Sequence, residues 1–239
     1  MNNIPVIKHD SLDNATSSIA KEVQSMVEST LDQKYWCTFG LVGGQSVSNI
    51  YKKLLEYKID YSKLKFYLLD ERLVEPESEE SNYNLVYNAL FAPLLASEKI
   101  TKENIRTIDY SKILEPRKII HDYIDQFKKD TLSSHVIDVA IISMGEDGHI
   151  ASVFPNNSSF YDASGLFIVV KNAPKDPPKR ISASKRMLSN INNAILLAFG
   201  ESKKEALENF LKKTYDNNLC PARILKNIPN IKVFTDINL

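Results

Sequence analysis

Residues 143–155, Ser-Met-Gly-Glu-Asp-Gly-His-Ile-Ala-Ser-Val-Phe-Pro, set Asp147 and His149 two positions apart behind the apolar run 136–142. An imidazole can keep a proton acceptor free near neutral pH, so His149 is the best general-base candidate in the chain. Asp147 could orient it or hold substrate hydroxyls. The plain alternative is a hydrogen-bonded turn residue. Gly145 and Gly148, which bracket the acids at a strand exit, favour chemistry. The other histidines, His9, His121 and His135, have no comparable setting. With histidines so scattered and two cysteines in all, a zinc site is not expected.

Three further clusters could serve such a base. In Gly-Leu-Val-Gly-Gly-Gln-Ser-Val-Ser, Gly43 and Gly44 follow an apolar run, and Ser46 and Ser48 open a helical pattern. Glycines let backbone approach an anion, and helix-start N–H groups point towards it, so the cluster reads as a phosphate cradle or as a join with Ser46 as N-cap. Asp70, Glu71 and Arg72 follow a second apolar run, with Ser81-Asn82-Tyr83 beyond an acidic loop. Arg72 offers a fork of donors to a phosphate or a developing oxyanion; a solvated turn is the alternative. The third cluster is basic: Lys171, Lys175, Lys179 and Arg180 in a proline-rich loop, and Lys203 at a helix start. Any of these could neutralise a phosphate, and simple solubility explains most of them.

The elements that must position these residues alternate. Segments 36–42, 65–70, 137–143, 166–170, 194–199 and 231–236 read as strands, most of them continuously apolar. Segments 11–33, 46–57, 82–96, 115–130 and 202–213 carry helical spacing. The pattern predicts an α/β fold: a single domain over 1–239 with a mostly parallel, doubly wound (Rossmann-like) sheet and helices on both faces. Such sheets bind ligands outside the carboxyl ends of their strands, where every polar cluster above falls.

Thirty basic residues balance thirty acidic ones among 239, which argues against nucleic acid or an anionic membrane as partner. Two cysteines, no secretory leader pattern and no run near the ~20 apolar residues of a membrane helix point to the cytoplasm. Oligomeric state is not legible.

Taken together, the segments around Gly43, Asp70–Tyr83, Ser143–Pro155, Arg180 and Lys203 resemble the 6-phosphogluconolactonase family, in family order from about residue 40 to 211. The Asp-Glu-Arg…Ser-Asn-Tyr and Gly-x-Asp-Gly-His-x-Ala-Ser-x-Phe-Pro blocks carry the resemblance. The sister family of glucosamine-6-phosphate deaminases and isomerases usually has Asp-Glu-Tyr at 70–72 and a catalytic Glu at the position of Phe154. The resemblance implies hydrolysis of 6-phospho-D-glucono-1,5-lactone, the second step of the oxidative pentose phosphate pathway. It also implies a phosphorylated sugar lactone as partner, and neither metal nor cofactor. His149, Asp147 and Arg72 would be catalytic, while Gly43, Gly44, Ser46, Asp70, Arg180 and Lys203 would hold the substrate. Two departures stand out: Gln45-Ser46-Val47 replaces the usual Ser-Thr-Pro, and Ile150 stands where lactonases commonly carry Thr and the sister family often Ile.

Overall fold

The structure, a computed structural model, describes residues 4–239. Ten strands run in chain order: β1 (Val6–Lys8), β2 (Cys37–Leu41), β3 (Leu64–Leu68), β4 (Asp70–Arg72), β5 (Ile105–Arg106), β6 (Ile137–Ser143), β7 (Phe167–Val170), β8 (Arg180–Ala183), β9 (Ile191–Ala198) and β10 (Asn230–Thr235). Eight α-helices join them: α1 (Leu12–Leu31), α2 (Gln45–Leu54), α3 (Asn82–Val86), α4 (Ala92–Ala96), α5 (Pro116–Asp130), α6 (Ser158–Tyr161), α7 (Lys185–Leu188) and α8 (Lys204–Leu211). Among the described residues no helix is long and apolar enough to cross a membrane.

Seven strands form one sheet in the order β1-β10-β9-β6-β2-β3-β5. All of its pairings are parallel. Every residue of β2 and β3 is buried, as is β6 up to Ser143, which explains why these strands read as unbroken apolar runs. The parallel α/β expectation therefore holds. From β2 the chain moves outward to β3 on one side, then crosses back to lay β6 on the other. That reversal opens a crevice at the carboxyl ends of β2 and β6, the place where open α/β sheets bind ligands. Gly43 and Gly145 both sit there.

α1 starts at an N-cap, Ser11, whose hydroxyl accepts from Asn14 N–H at 3.2 Å. Its Ala15, Ile19, Val23, Met26 and Val27 are buried, the helical stripe the sequence shows. The expected helix over 82–96 divides into α3, a π-turn at Tyr87–Phe91 and α4.

The small strands depart from the reading. β4, β8 and β7 make a separate antiparallel sheet in that order, with Arg72 opposite Arg180 and Asp70 opposite Ser182. Segment 166–170 is thus a strand, but not of the main sheet. Arg180, expected in a loop, begins β8. This second sheet brings the Asp-Glu-Arg block and the end of the proline-rich loop side by side.

Candidate active site

One cavity of about 320 Å³ opens at the crevice. Gly43, Gly44, Asp70, Arg72, His149, Arg180 and Lys203 all line it, and so do Asn82, Ser143, Glu146, Lys175 and Ser202. Segments more than a hundred residues apart in sequence therefore converge on one space. Ser46 and Asp147 sit one contact behind the wall.

His149 Nδ1 lies 2.5 Å from Asp147 Oδ1, and the His149 backbone N–H donates to the same oxygen at 3.2 Å. Burial works against charge on Asp147, but the hydrogen bond and charge of His149 outweigh it and hold its carboxyl down at about 2. An ionised carboxylate can only accept, so Nδ1 carries the proton and the Nε2 lone pair of a neutral ring is free. Gly145 permits this arrangement, since a Cβ there would overlap the His149 ring. Phe154, fully buried, backs the imidazole with ring centroids 4.6 Å apart.

On the same wall, α2 follows its N-cap Gly44, which has φ of +111°, so Ser46, the N-cap of the plain alternative, lies inside the helix. Among the described residues no side chain caps this helix; the Val47 N–H donates to the Gly44 carbonyl at 3.2 Å, and the helix start ahead of it faces the crevice, where helix N–H groups favour an anion. Gly43 allows Asn82 to approach, because a Cβ would overlap the amide of that residue. Lys203 Nζ donates to Ser143 Oγ at 3.3 Å, and Ser46 Oγ lies 3.5 Å from the same hydroxyl. Burial, and then the charge of Lys175, lower the Lys203 ammonium below the usual lysine range.

Arg72 and Asp70 also line the cavity. Arg72 Nη1 donates to the Glu80 carbonyl at 2.5 Å, whereas Nε is buried with no partner among the described residues. Asp70 accepts from Ser152 Oγ at 2.7 Å and from Asn82 Nδ2 at 3.2 Å. Glu71 points away from the cavity and is fully buried. It accepts from the N–H groups of Arg72 (2.6 Å), Asn82 (2.9 Å) and Tyr83 (2.7 Å) and from the hydroxyls of Ser81 (3.3 Å) and Tyr110 (2.9 Å). The middle residue of the Asp-Glu-Arg block is a knot that fixes its neighbours.

Arg180 is 3% exposed. Nε donates to the Pro177 carbonyl at 2.9 Å, and Nη2 donates to those of Lys175 (2.8 Å) and Asp176 (3.2 Å). Nη1 makes only a long contact, 3.4 Å, with Ser152 Oγ. Arg180 thus clamps the proline-rich loop while one nitrogen is left to face the cavity. Ile150 is fully buried and does not line it, so its departure from the lactonase pattern does not alter the wall.

Sequence reasoning singled out no site role for Asn82, Ser143, Glu146 or Ser202. Ser143 closes β6 and Asn82 opens α3, positions that mark a strand exit and a helix start but not a ligand contact.

Fold and site together define an α/β protein with a His–Asp pair and a cationic wall in one crevice at the carboxyl edge of its sheet. Residues 10–233 match the family described as glucosamine-6-phosphate isomerases/6-phosphogluconolactonase, and the chain belongs to that family. It is 36% identical over 207 residues to a 6-phosphogluconolactonase of Borreliella burgdorferi, covering 87% of this chain and 86% of the relative. A crystal structure of 6-phosphogluconolactonase from Thermotoga maritima matches with a TM-score of 0.82 at 25% identity, over 97% of this chain and 98% of that one. A 6-phosphogluconolactonase from Trypanosoma cruzi shares the fold, with a TM-score of 0.83 at 20% identity over 98% of this chain and 94% of that one.

Proposed function

We propose that this chain hydrolyses 6-phospho-D-glucono-1,5-lactone to 6-phosphogluconate in the oxidative pentose phosphate pathway, with His149 as general base. The observation that carries the reading is the cavity wall itself, which joins an imidazole with a free Nε2 to Lys203, Arg180 and the uncapped start of α2. The first suits attack by water on a carbonyl, and the second suits a phosphate dianion.

Nε2 takes a proton from water as the oxygen adds to C1 of the lactone. Asp147 steadies the imidazolium that results. The carbonyl oxygen becomes an oxyanion, which the positive charge of the Arg72 guanidinium stabilises. Collapse of the tetrahedral intermediate breaks the bond from C1 to the ring oxygen, and the proton on His149 passes to that oxygen as it leaves as a hydroxyl. A lactone is an activated acyl group, so these residues suffice for the step. Gly43, Gly44, Ser46, Asp70 and Lys203 hold the sugar phosphate, with Arg180 contributing Nη1.

Phe154 bears on the rival chemistry. An aldose–ketose isomerisation with deamination needs acid–base groups at carbon, and an apolar ring stands where the sister family usually places Glu. We further read residues 1–239 as one domain, supported by a single main core cluster that extends from Ala15 to Ile237. A cytoplasmic setting is supported by two cysteines that are both free and buried.

The direct test is lactone loss above the spontaneous rate with 6-phosphogluconolactone, beside ammonia release from glucosamine 6-phosphate. Lactone loss without ammonia is expected. Ammonia without lactone loss would replace the reading.

A further inference from the structure

Lys175 and Glu146 pair on the solvent-exposed wall of the cavity, Nζ to Oε1 at 3.2 Å, with side chains 41% and 60% exposed. Both line the cavity that holds His149, Arg72 and Lys203. A carboxylate on the wall of a site for an anion repels its substrate unless a cation covers it. Lys175 is that cation, and an exposed pair of this kind is weak enough to exchange partners readily.

The backbone under Lys175 is anchored. Buried Arg180 holds the carbonyls of Lys175, Asp176 and Pro177, and Ala173 N–H donates to the Pro178 carbonyl at 3.0 Å. The ammonium therefore swings on its own stem from a fixed point. Lys171 and Lys179, from the same loop, are exposed and do not line the cavity. The charge of Lys175 reaches Lys203, whose ammonium it helps to lower, so the two cations act on common ground.

We infer that Lys175 is a further ligand of the substrate phosphate, that Glu146 holds it in the free protein, and that exchange of this pair helps select phosphorylated over unphosphorylated lactones. The inference rests on the sugar-phosphate reading of the site. In the exchange no covalent bond changes: the ammonium leaves one carboxylate for a phosphate dianion, and Glu146 turns to solvent.

Three variants, Lys175→Met, Glu146→Gln and the double replacement, test it through two readouts. One is the ratio of kcat/KM for 6-phosphogluconolactone to that for glucono-1,5-lactone. The other is calorimetric titration with inorganic phosphate, which needs no turnover. In Lys175→Met the ratio and the phosphate affinity should each fall by about tenfold, as expected for loss of one charged hydrogen bond. Glu146→Gln should bind phosphate more tightly, and the double variant should recover the part of the Lys175→Met loss that comes from the uncovered carboxylate while staying well below wild type. A double variant restored to wild-type selectivity would overturn the inference, because Lys175 would then only neutralise Glu146. So would a Lys175→Met protein with unchanged ratio and affinity, or one that loses both lactones equally. Wild-type protein that turns over neither lactone would sink the lactonase reading, and the phosphate titration would still decide whether Lys175 is a ligand.

Discussion

The imidazole of His149 leans on the buried ring of Phe154, with 4.6 Å between centroids and 35° between planes. The Arg180 guanidinium also lies over that ring, 5.5 Å from its centroid. One apolar side chain thus supports the base and the loop clamp together.

Truncating it should separate packing from catalysis. Phe154→Ala is expected to cost about 3–5 kcal/mol of stability, the usual range for a buried Phe, read from urea unfolding. Phe154→Leu keeps most of the volume and should cost less than about 1.5 kcal/mol. Its kcat should still fall by about tenfold, within what small misplacements of a reacting group cost. A Leu variant with full kcat would show that the ring has no positioning role.

Asp147→Asn tests the tautomer. An amide can donate to Nδ1, which moves the ring proton to Nε2 and removes the lone pair that water needs. The expected loss in kcat is about 10²-fold or more, the size of a general-base contribution. Nitrogen NMR of the imidazole should show the exchanged tautomer. A variant whose ring keeps its proton on Nδ1 and whose kcat is intact would contradict this role.

Lys203 predicts a pH dependence with a definite sign. Burial and Lys175 lower its ammonium in the free protein, so it loses charge at lower pH than an ordinary lysine. A bound phosphate dianion favours the charged form. Phosphate affinity should therefore fall as pH rises through this lowered value, and binding above it should take up a proton. Calorimetry in buffers of different ionisation enthalpy measures that uptake, which Lys203→Met should abolish. Equal uptake in the variant would assign the proton elsewhere.

Glu71 predicts a structural loss that reaches the site. Glu71→Ala would leave three backbone N–H groups and the hydroxyls of Ser81 and Tyr110 without their acceptor. A destabilisation of roughly 3 kcal/mol or more is expected from buried donors left unpaired. Thermal unfolding measures it; a shift within error would mean that water replaces the carboxylate.

Much of this was legible in the sequence because parallel strands buried on both faces announce themselves as apolar runs, as β2, β3 and β6 do. Their exits located Gly43, Asp70 and Asp147–His149. What was not legible is pairing between short strands. β4 and β8 are three and four residues of mixed character, and nothing local shows that Arg72 lies opposite Arg180. The sequence leaves the Asp70–Arg72 cluster between a site and a solvated turn and gives no sign of the buried knot at Glu71, since its five donors come from positions 72 to 110 and meet only after folding. In the sequence Lys175 is indistinguishable from its neighbours Lys171 and Lys179; its place on the cavity wall, its pairing with Glu146 and the clamp of Arg180 set it apart.

Removal of the proposed base bears most directly on the account. Turnover of 6-phosphogluconolactone by His149→Ala, corrected for background hydrolysis, should show kcat lowered by about 10²-fold or more with KM near wild type. A His149→Ala protein that keeps the wild-type kcat would contradict the account, because water would then be activated by some other group.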